Sequence, residues 1–279
     1  MGITLNGIHS STIPVTWKTS KRPIMPTPKT YSQAAPEDDS EYDFSEYNMD
    51  QRLHYYDRVF EGTITAVSRN MTELNLLLTK VARWLFGSWK TLEFDDMPGT
   101  IWTAKIENPD QISYEFGKIG TATVYFRVKP FSRWFLNSSS GGVPIDSKVL
   151  INSEINLDLD FNPTYEFTAG SQLFTVDNLG DWYSAPSITI TGVFTQLSIG
   201  IGSKFYIYSG NIQEGDTLVI DCKDHMATIN GLNAMSSISG DRFEFEPGTN
   251  TLFITSDGTG QATVTFDYNF INMAVIGNA

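Results

Sequence analysis

The sequence predicts a mainly β protein of the α+β class, a sheet carrying one packed helix followed by a β-sandwich. Three observations carry this. Only "NMTELNLLLTKVARWLFG" repeats apolar residues at three and four positions, at Leu74, Leu77, Leu78, Val81 and Leu85. Downstream, "SITITG", "FTQLSIGI", "KFYIYSG", "DTLVIDC" and "ATING" are short extended runs at sandwich spacing. Near the end, "ATVTFDYNF" puts Ala262, Val264, Phe266, Tyr268 and Phe270 on one face and Thr263, Thr265, Asp267 and Asn269 on the other.

Taken in order, Ile3 to Trp17 reads as a short strand, a turn at Asn6-Gly7 and a second extended piece. "KRPIMPTPKTY" has three prolines within six positions, which forbids helix and predicts an extended arm or loop. "PEDDSEYDFSEYNMDQR" gathers acids around Tyr42, Phe44 and Tyr47. It reads as a solvated loop, or as one whose aromatics are buried by a neighbouring subunit. Asn70 and Glu73 have capping-box spacing at the helix start, and Gly87 is placed to end it. With one apolar face the helix should lie on a sheet built from "LHYYDRVFEGTI", "TIWTAKIE" and "FGKIGTATVYFRVKPFS". The shift to "LNSSSGGVPIDS" marks a linker, giving domains at 1–135 and 148–279 joined by 136–147. In the second domain "EPGTN" and "SDGTG" supply strand reversals. Each large side chain buried there stabilises the sandwich by about 1.5–3 kcal/mol before entropy is counted.

Composition excludes several functions. A net charge of −13 argues against sequence-independent grip on nucleic-acid phosphates, which needs clustered Lys and Arg. One cysteine, Cys222, makes neither an internal disulfide nor a zinc site alone, as suits a reducing cytosol. The start lacks a secretory pattern, and "LLLTKVARWLF" is too short and too charged to span a bilayer, so a soluble, unprocessed chain is expected.

Chemistry-bearing motifs are sparse. His9, His54 and His225 have no ligand or catalytic spacing, and no nucleophile elbow, HExxH, phosphate loop or CxxC is present. "DLDFNP" (Asp158, Asp160, Asn162) has alternate acids but lacks the Gly and distal Glu of a calcium loop. "DNLGDWYSAP" could present Trp182 and Tyr183 as a sugar platform, or pack them at a sandwich end. No catalytic residue, metal or cofactor is expected.

Several segments together resemble the distal tail protein (Dit) family of siphophages, the siphovirus-type tail component. They are "GITLNGIHSS", "KRPIMP", "DDSEYDFSEYNMDQR", "VARWLFG", "LEFDDMPGTIWTAKIEN", "FGKIGTATVYFRVKPF", "FNPTYEF", "TLVIDCKDHMATINGLN" and "FEFEPGTNTLFI", in the family's order and over nearly the whole chain. The resemblance implies a split-barrel-like N-terminal belt domain and a galectin-like C-terminal sandwich. It further implies a non-enzymatic hub at the virion tail tip, made in the host cytoplasm, with no membrane partner. The hub is a homo-hexameric ring, single or back to back, between the tail tube protein and a Tal-like tail-tip protein. Baseplate or receptor-binding proteins are carried outside, and DNA passes through without specific binding. The alternative is a carbohydrate-binding protein adhering to the host wall through the sandwich.

On that implication Pro23, Pro26, Tyr42, Phe44 and Tyr47 are the candidate subunit contacts, and Asp38, Asp39 and Glu41 the candidate lumen acids. Six copies of −13 make −78, a repulsion that local contacts must overcome.

Overall fold

The computed structural model describes residues 2–34, 39–48, 51–109, 113–115, 118–139, 164–258 and 260–273. The chain divides into two units, one of 1–132 with 273–279 and one of 133–272.

The first unit holds β1 (Ile3–Leu5), β2 (Ile8–His9), β3 (Val15–Lys21), β4 (Ser32–Ala34), β5 (Glu41–Asp43), β6 (Arg58–Val67), α1 (Met71–Leu85), β7 (Lys90–Phe94), β8 (Thr100–Pro109), β9 (Ser113–Glu115) and β10 (Ile119–Val128). Its antiparallel sheet runs β2-β1-β7-β8-β10-β6-β3, with β9 on β10. Asn6 and Gly7 both have positive φ, 50° and 79°, the geometry of a two-residue hairpin turn between β1 and β2. α1 begins where the spacing places it: the Asn70 side chain accepts from Glu73 N–H at 3.0 Å. The Glu73 carboxylate, however, reaches back to Arg69 N–H at 3.1 Å rather than to Asn70. The helix buries Leu74, Leu77, Val81, Trp84 and Leu85, with Leu78 packed at the margin. Trp84 completes the stripe that the leucines announce. Its indole N–H donates to Ile8 O at 3.2 Å, and Lys90 Nζ donates to Trp84 O at 2.6 Å at the helix C-terminus.

The core under α1 joins Phe60 and Ile64 of β6, Trp102 of β8 and Val124 and Phe126 of β10. Trp17 of β3 lies across β6 at Gly62, where a Cβ would stand 2.0 Å from the indole. Only glycine admits that ring, which then meets Phe126 at 5.8 Å.

The second unit holds β11 (Ser132–Asn137), β12 (Thr164–Phe167), β13 (Gly170–Asn178), β14 (Ser187–Thr191), β15 (Phe194–Ile201), β16 (Lys204–Ile212), β17 (Thr217–Asp221), β18 (Met226–Ile229), β19 (Leu232–Asn233), β20 (Ile238–Gly240), β21 (Gly248–Ser256), β22 (Ala262–Asp267) and β23 (Asn269–Asn272). Two antiparallel sheets, β12-β22-β14-β17-β18-β19 and β13-β21-β15-β16-β20, enclose one core. Ile188, Ile190, Leu218, Ile220, Val264 and Phe266 enter from the first sheet, and Val176, Leu197, Ile199, Tyr206, Tyr208, Leu252 and Ile254 from the second. This is the mainly β class that the alternation predicts, and Ala262, Val264, Phe266, Tyr268 and Phe270 are all buried. β11 pairs β23, so Leu136 and Asn137, the first residues of the expected linker, are strand, with Leu136 buried. The "FEFE" run before Gly248 is not a long strand. Phe243 and Phe245 are core residues, and Phe245 makes an isolated bridge to Ser184.

Candidate interaction site

The acidic aromatic segment forms an arm. Antiparallel β4 and β5 pair Ser32 with Asp43 and Ala34 with Glu41 in a sheet of two strands. All six strand residues are exposed. An isolated two-stranded hairpin is marginal in water. Its order rests on local bonds: Phe44 N–H donates to Tyr31 O at 2.8 Å, Tyr31 N–H to Ser45 Oγ at 2.8 Å, and Ser45 N–H to the Asp43 carboxylate at 2.8 Å. The Ser45 bonds hold the Asp43 carboxyl below the usual carboxylate range. Phe44 sits among Tyr31, Tyr42 and Tyr47 at centroid distances of 6.1, 6.5 and 6.4 Å. Tyr47 is 89% exposed. The hairpin thus presents a cluster of large aromatics on an acidic, solvent-facing surface.

The root of the arm is fixed by a residue that sequence reasoning missed. Arg58, 3% exposed, donates through Nε to Pro130 O at 2.9 Å and through Nη1 to Pro23 O at 3.2 Å and Ile24 O at 3.0 Å. Its Nη2 donates to Met273 O, and the guanidinium lies over the Trp102 ring at 4.9 Å. Farther along, Lys29 N–H donates to His54 O at 2.7 Å and Tyr56 N–H to Thr27 O at 2.9 Å. Pro23 is half-buried. Pro26 is buried within its own unit, which corrects its expected place at a subunit contact. In the proline-rich stretch the surface belongs to Ile24 and Met25, 70% and 58% exposed. Asp39 and Glu41 lie exposed on the arm; Asp38 is outside the described residues.

The reactive side chains are committed to structure. Cys222 is fully buried, and burial first, then the neighbouring Asp221 charge, pushes its thiol up to about 12. His9, Ser11 and Asp95 do meet, which spacing could not reveal: Nδ1 lies 2.6 Å from Ser11 Oγ and Nε2 3.0 Å from the Asp95 carboxylate. Nδ1 also accepts from Ser11 N–H at 3.2 Å, so the ring caps the short 3-10 turn of Ser10–Thr12. Trp182 and Tyr183 form an edge-to-face pair at 5.4 Å and both are half-buried, so each ring spends part of its surface on packing. Among the described residues no three His, Cys, Asp or Glu side chains converge on a metal position. Nor is any described helix long and apolar enough to cross a membrane. The "DLDFNP" run lies outside the described residues.

Residues 179–270 match the family model of the siphovirus-type tail component, C-terminal domain. By fold, the chain is similar to the crystal structure of the phage SPP1 Dit (gp 19.1) protein, described as a paradigm of the hub adsorption apparatus in phages infecting Gram-positive hosts. The TM-score is 0.67 and the identity 14%, over 96% of this chain and 98% of that one. A chain of the phage P2 baseplate in its activated conformation with Ca is similar at a TM-score of 0.40 and 9% identity, over 91% and 90% of the two chains, too weak a likeness to argue from. No curated protein matches the sequence.

The matched stretch starts one residue after β13 and takes in β14 to β22 with the first half of β23. The unit that contains it, residues 133–272, carries 5 Lys or Arg against 16 Asp or Glu, a net −11 of the total −13. The other unit has 14 against 16, a net −2, and 7 of its acids stand between Glu37 and Asp50. Without that segment its body is 14 against 9, or +5. Part of this positive charge is concentrated on the wet face of the sheet. Lys105 of β8 stands directly opposite Arg127 of β10, and Lys129 follows two residues on. The Lys105 and Lys129 ammonium groups lie 5.0 and 4.2 Å from the Trp89 ring centroid.

Proposed function

We propose that the chain is a non-enzymatic structural hub of a phage tail tip or baseplate. The observation that carries this reading is the fold likeness to SPP1 Dit along 96% of the chain, together with a tail component domain at residues 179–270. In this reading the two-domain chain assembles as a ring of six that joins the tail tube to the tail-tip and receptor-binding proteins and leaves a passage for DNA. The work is geometric: distinct surfaces on one chain meet in a heterologous contact, which closes into a ring if the rotation per copy divides a circle. Tyr42, Phe44 and Tyr47 are exposed and clustered, which supports a place for them in such a contact.

The test is light scattering of the purified chain with negative-stain imaging, alone and with tail tubes. Closed six-fold rings, free or seated on tube ends, are the expected result. Particles that never close, in both conditions, would overturn the hub reading.

A further inference from the structure

We propose that two copies of this chain bind each other in solution by docking the β4–β5 arm of one onto the Trp89, Lys105, Arg127 and Lys129 face of the other. The proposal rests on the hub reading only for the number of copies a finished assembly holds. Two independent observations point to it.

The arm is a hairpin without cover. Its six strand residues are exposed, Tyr47 is 89% exposed, and between Thr30 and Asn48 the sequence has six acids and no Lys or Arg. Such an element lacks the burial that would hold it in a free chain, and its chemistry calls for a basic surface with an aromatic platform.

The face supplies that chemistry and is frustrated without it. Lys105 and Arg127 are direct cross-strand partners, and like charges placed opposite each other destabilise a sheet. Lys129 adds a third cation, and its ammonium shares the Trp89 ring with that of Lys105. Among the described residues the carboxylate paired with this cluster is Asp57, 2.7 Å from Arg127 Nε and 3.7 Å from Lys129 Nζ, one acid against three cations. The Arg127 and Lys129 side chains are 46% and 47% exposed, so an incoming acid can reach both. Asp39, Glu41 and Glu46 provide the acids, while Phe44 and Tyr47 offer rings to the half-buried Trp89. The described acids of the arm, Asp39, Glu41, Asp43 and Glu46, and the unit's charge of +5 outside residues 37–50 are complementary, so attraction steers this contact although each whole chain is at −13. The contact joins two different patches, as a ring requires. It also moves Glu41 and Asp39 from a channel wall to a subunit contact.

Charge exchange tests this. One variant carries Asp39→Lys and Glu46→Lys, the other Lys105→Glu and Lys129→Glu; all four side chains are at the surface, and circular dichroism with thermal melting checks that each variant folds. Sedimentation of the wild type should show self-association. Each variant alone should associate on the order of tenfold more weakly or worse. Mixed in equal amounts they should regain it in alternating complexes, because each then meets an oppositely charged partner at both patches. A wild type that stays monomeric at its highest attainable concentration overturns the proposal. So does either variant that assembles like wild type, or a mixture no stronger than its components. Rings that persist in the variants under negative stain would leave the hub reading standing while removing this contact, so the two failures are told apart.

Discussion

Replacing Arg58 by Ala should loosen the root of the arm and destabilise the N-terminal unit. The guanidinium bonds four carbonyls, at Pro23, Ile24, Pro130 and Met273, from a position 3% exposed. Hydrogen bonds to a charged donor are worth about 1.5–3 kcal/mol each before desolvation of the donor is set against them. Truncating one member of a buried charged network typically costs about 3–5 kcal/mol net, and water entering the vacated space recovers part of the carbonyl loss. Loss of the Trp102 contact adds a cation–π contribution of about 1 kcal/mol. For a unit of this size that total lowers the melting temperature by roughly 10–20 °C. Arg58→Lys keeps the charge but not the fork, and should fall between Ala and wild type. Differential scanning calorimetry reads the shift, and limited trypsin digestion should show faster cutting at Lys29 or Arg52 as the root opens. An Arg58→Ala protein melting within about 3 °C of wild type would refute the reasoning, since that is less than one buried charged bond.

Gly62→Val places side-chain carbon inside the Trp17 indole, since even a Cβ there would stand 2.0 Å from the ring; it should destabilise by about 3 kcal/mol or leave the chain insoluble, read by urea unfolding. Asp257 accepts from Thr195 N–H at 2.9 Å and Gln196 N–H at 2.8 Å, and its carboxyl is held below 3.8 by the Thr195 and Gln196 bonds. A depressed carboxyl contributes stability that is present above the unfolded value and lost as pH falls through the folded one. Asp257→Asn should therefore flatten the fall in stability below pH 3.8, as followed by acid titration of the circular dichroism signal. The buried thiol of Cys222, pushed up to about 12, should resist iodoacetamide in the native protein near pH 8 and react once it is unfolded in guanidinium, with mass spectrometry as the readout.

The sequence makes legible what is local. Helix α1 can be read because its apolar spacing and Asn70 cap lie within one turn or two of each other, and the Asn6-Gly7 reversal because both positions need positive φ. Trp84 escapes the leucine pattern because its partner, Ile8 O, is 76 residues away. Arg58 escapes for the same reason: its four acceptors come from three distant stretches, and a lone Arg beginning a strand carries no spacing signal. The basic face was half legible. Alternation in "VYFRVK" puts Arg127 and Lys129 on the wet side, but only the β8–β10 register sets Lys105 opposite Arg127. Whole-chain charge misled in the other direction, since −13 averages a strongly acidic unit with one that is nearly neutral.

That partition bears on how DNA could pass such a ring. A channel bounded by the N-terminal unit cannot rely on net acidity, because outside the arm segment this unit is at +5, and exposed Lys and Arg bind phosphates by releasing counterions. If each arm covers the Lys105, Arg127 and Lys129 face of a neighbour, the strongest of these cations are neutralised by assembly itself. The same contact that joins the copies then lowers their grip on nucleic acid. The consequence can be measured: the chain with Asp39→Lys and Glu46→Lys should bind duplex DNA in low salt, and the wild-type assembly should not. Salt separates the contributions, because screening weakens arm-to-face attraction as well as repulsion among the acidic C-terminal units. Association that falls steadily with salt would mean that the arm contact governs assembly. Association that rises would mean that the −11 of the C-terminal unit does, and in that case the arms are secondary to contacts made elsewhere on the sheet.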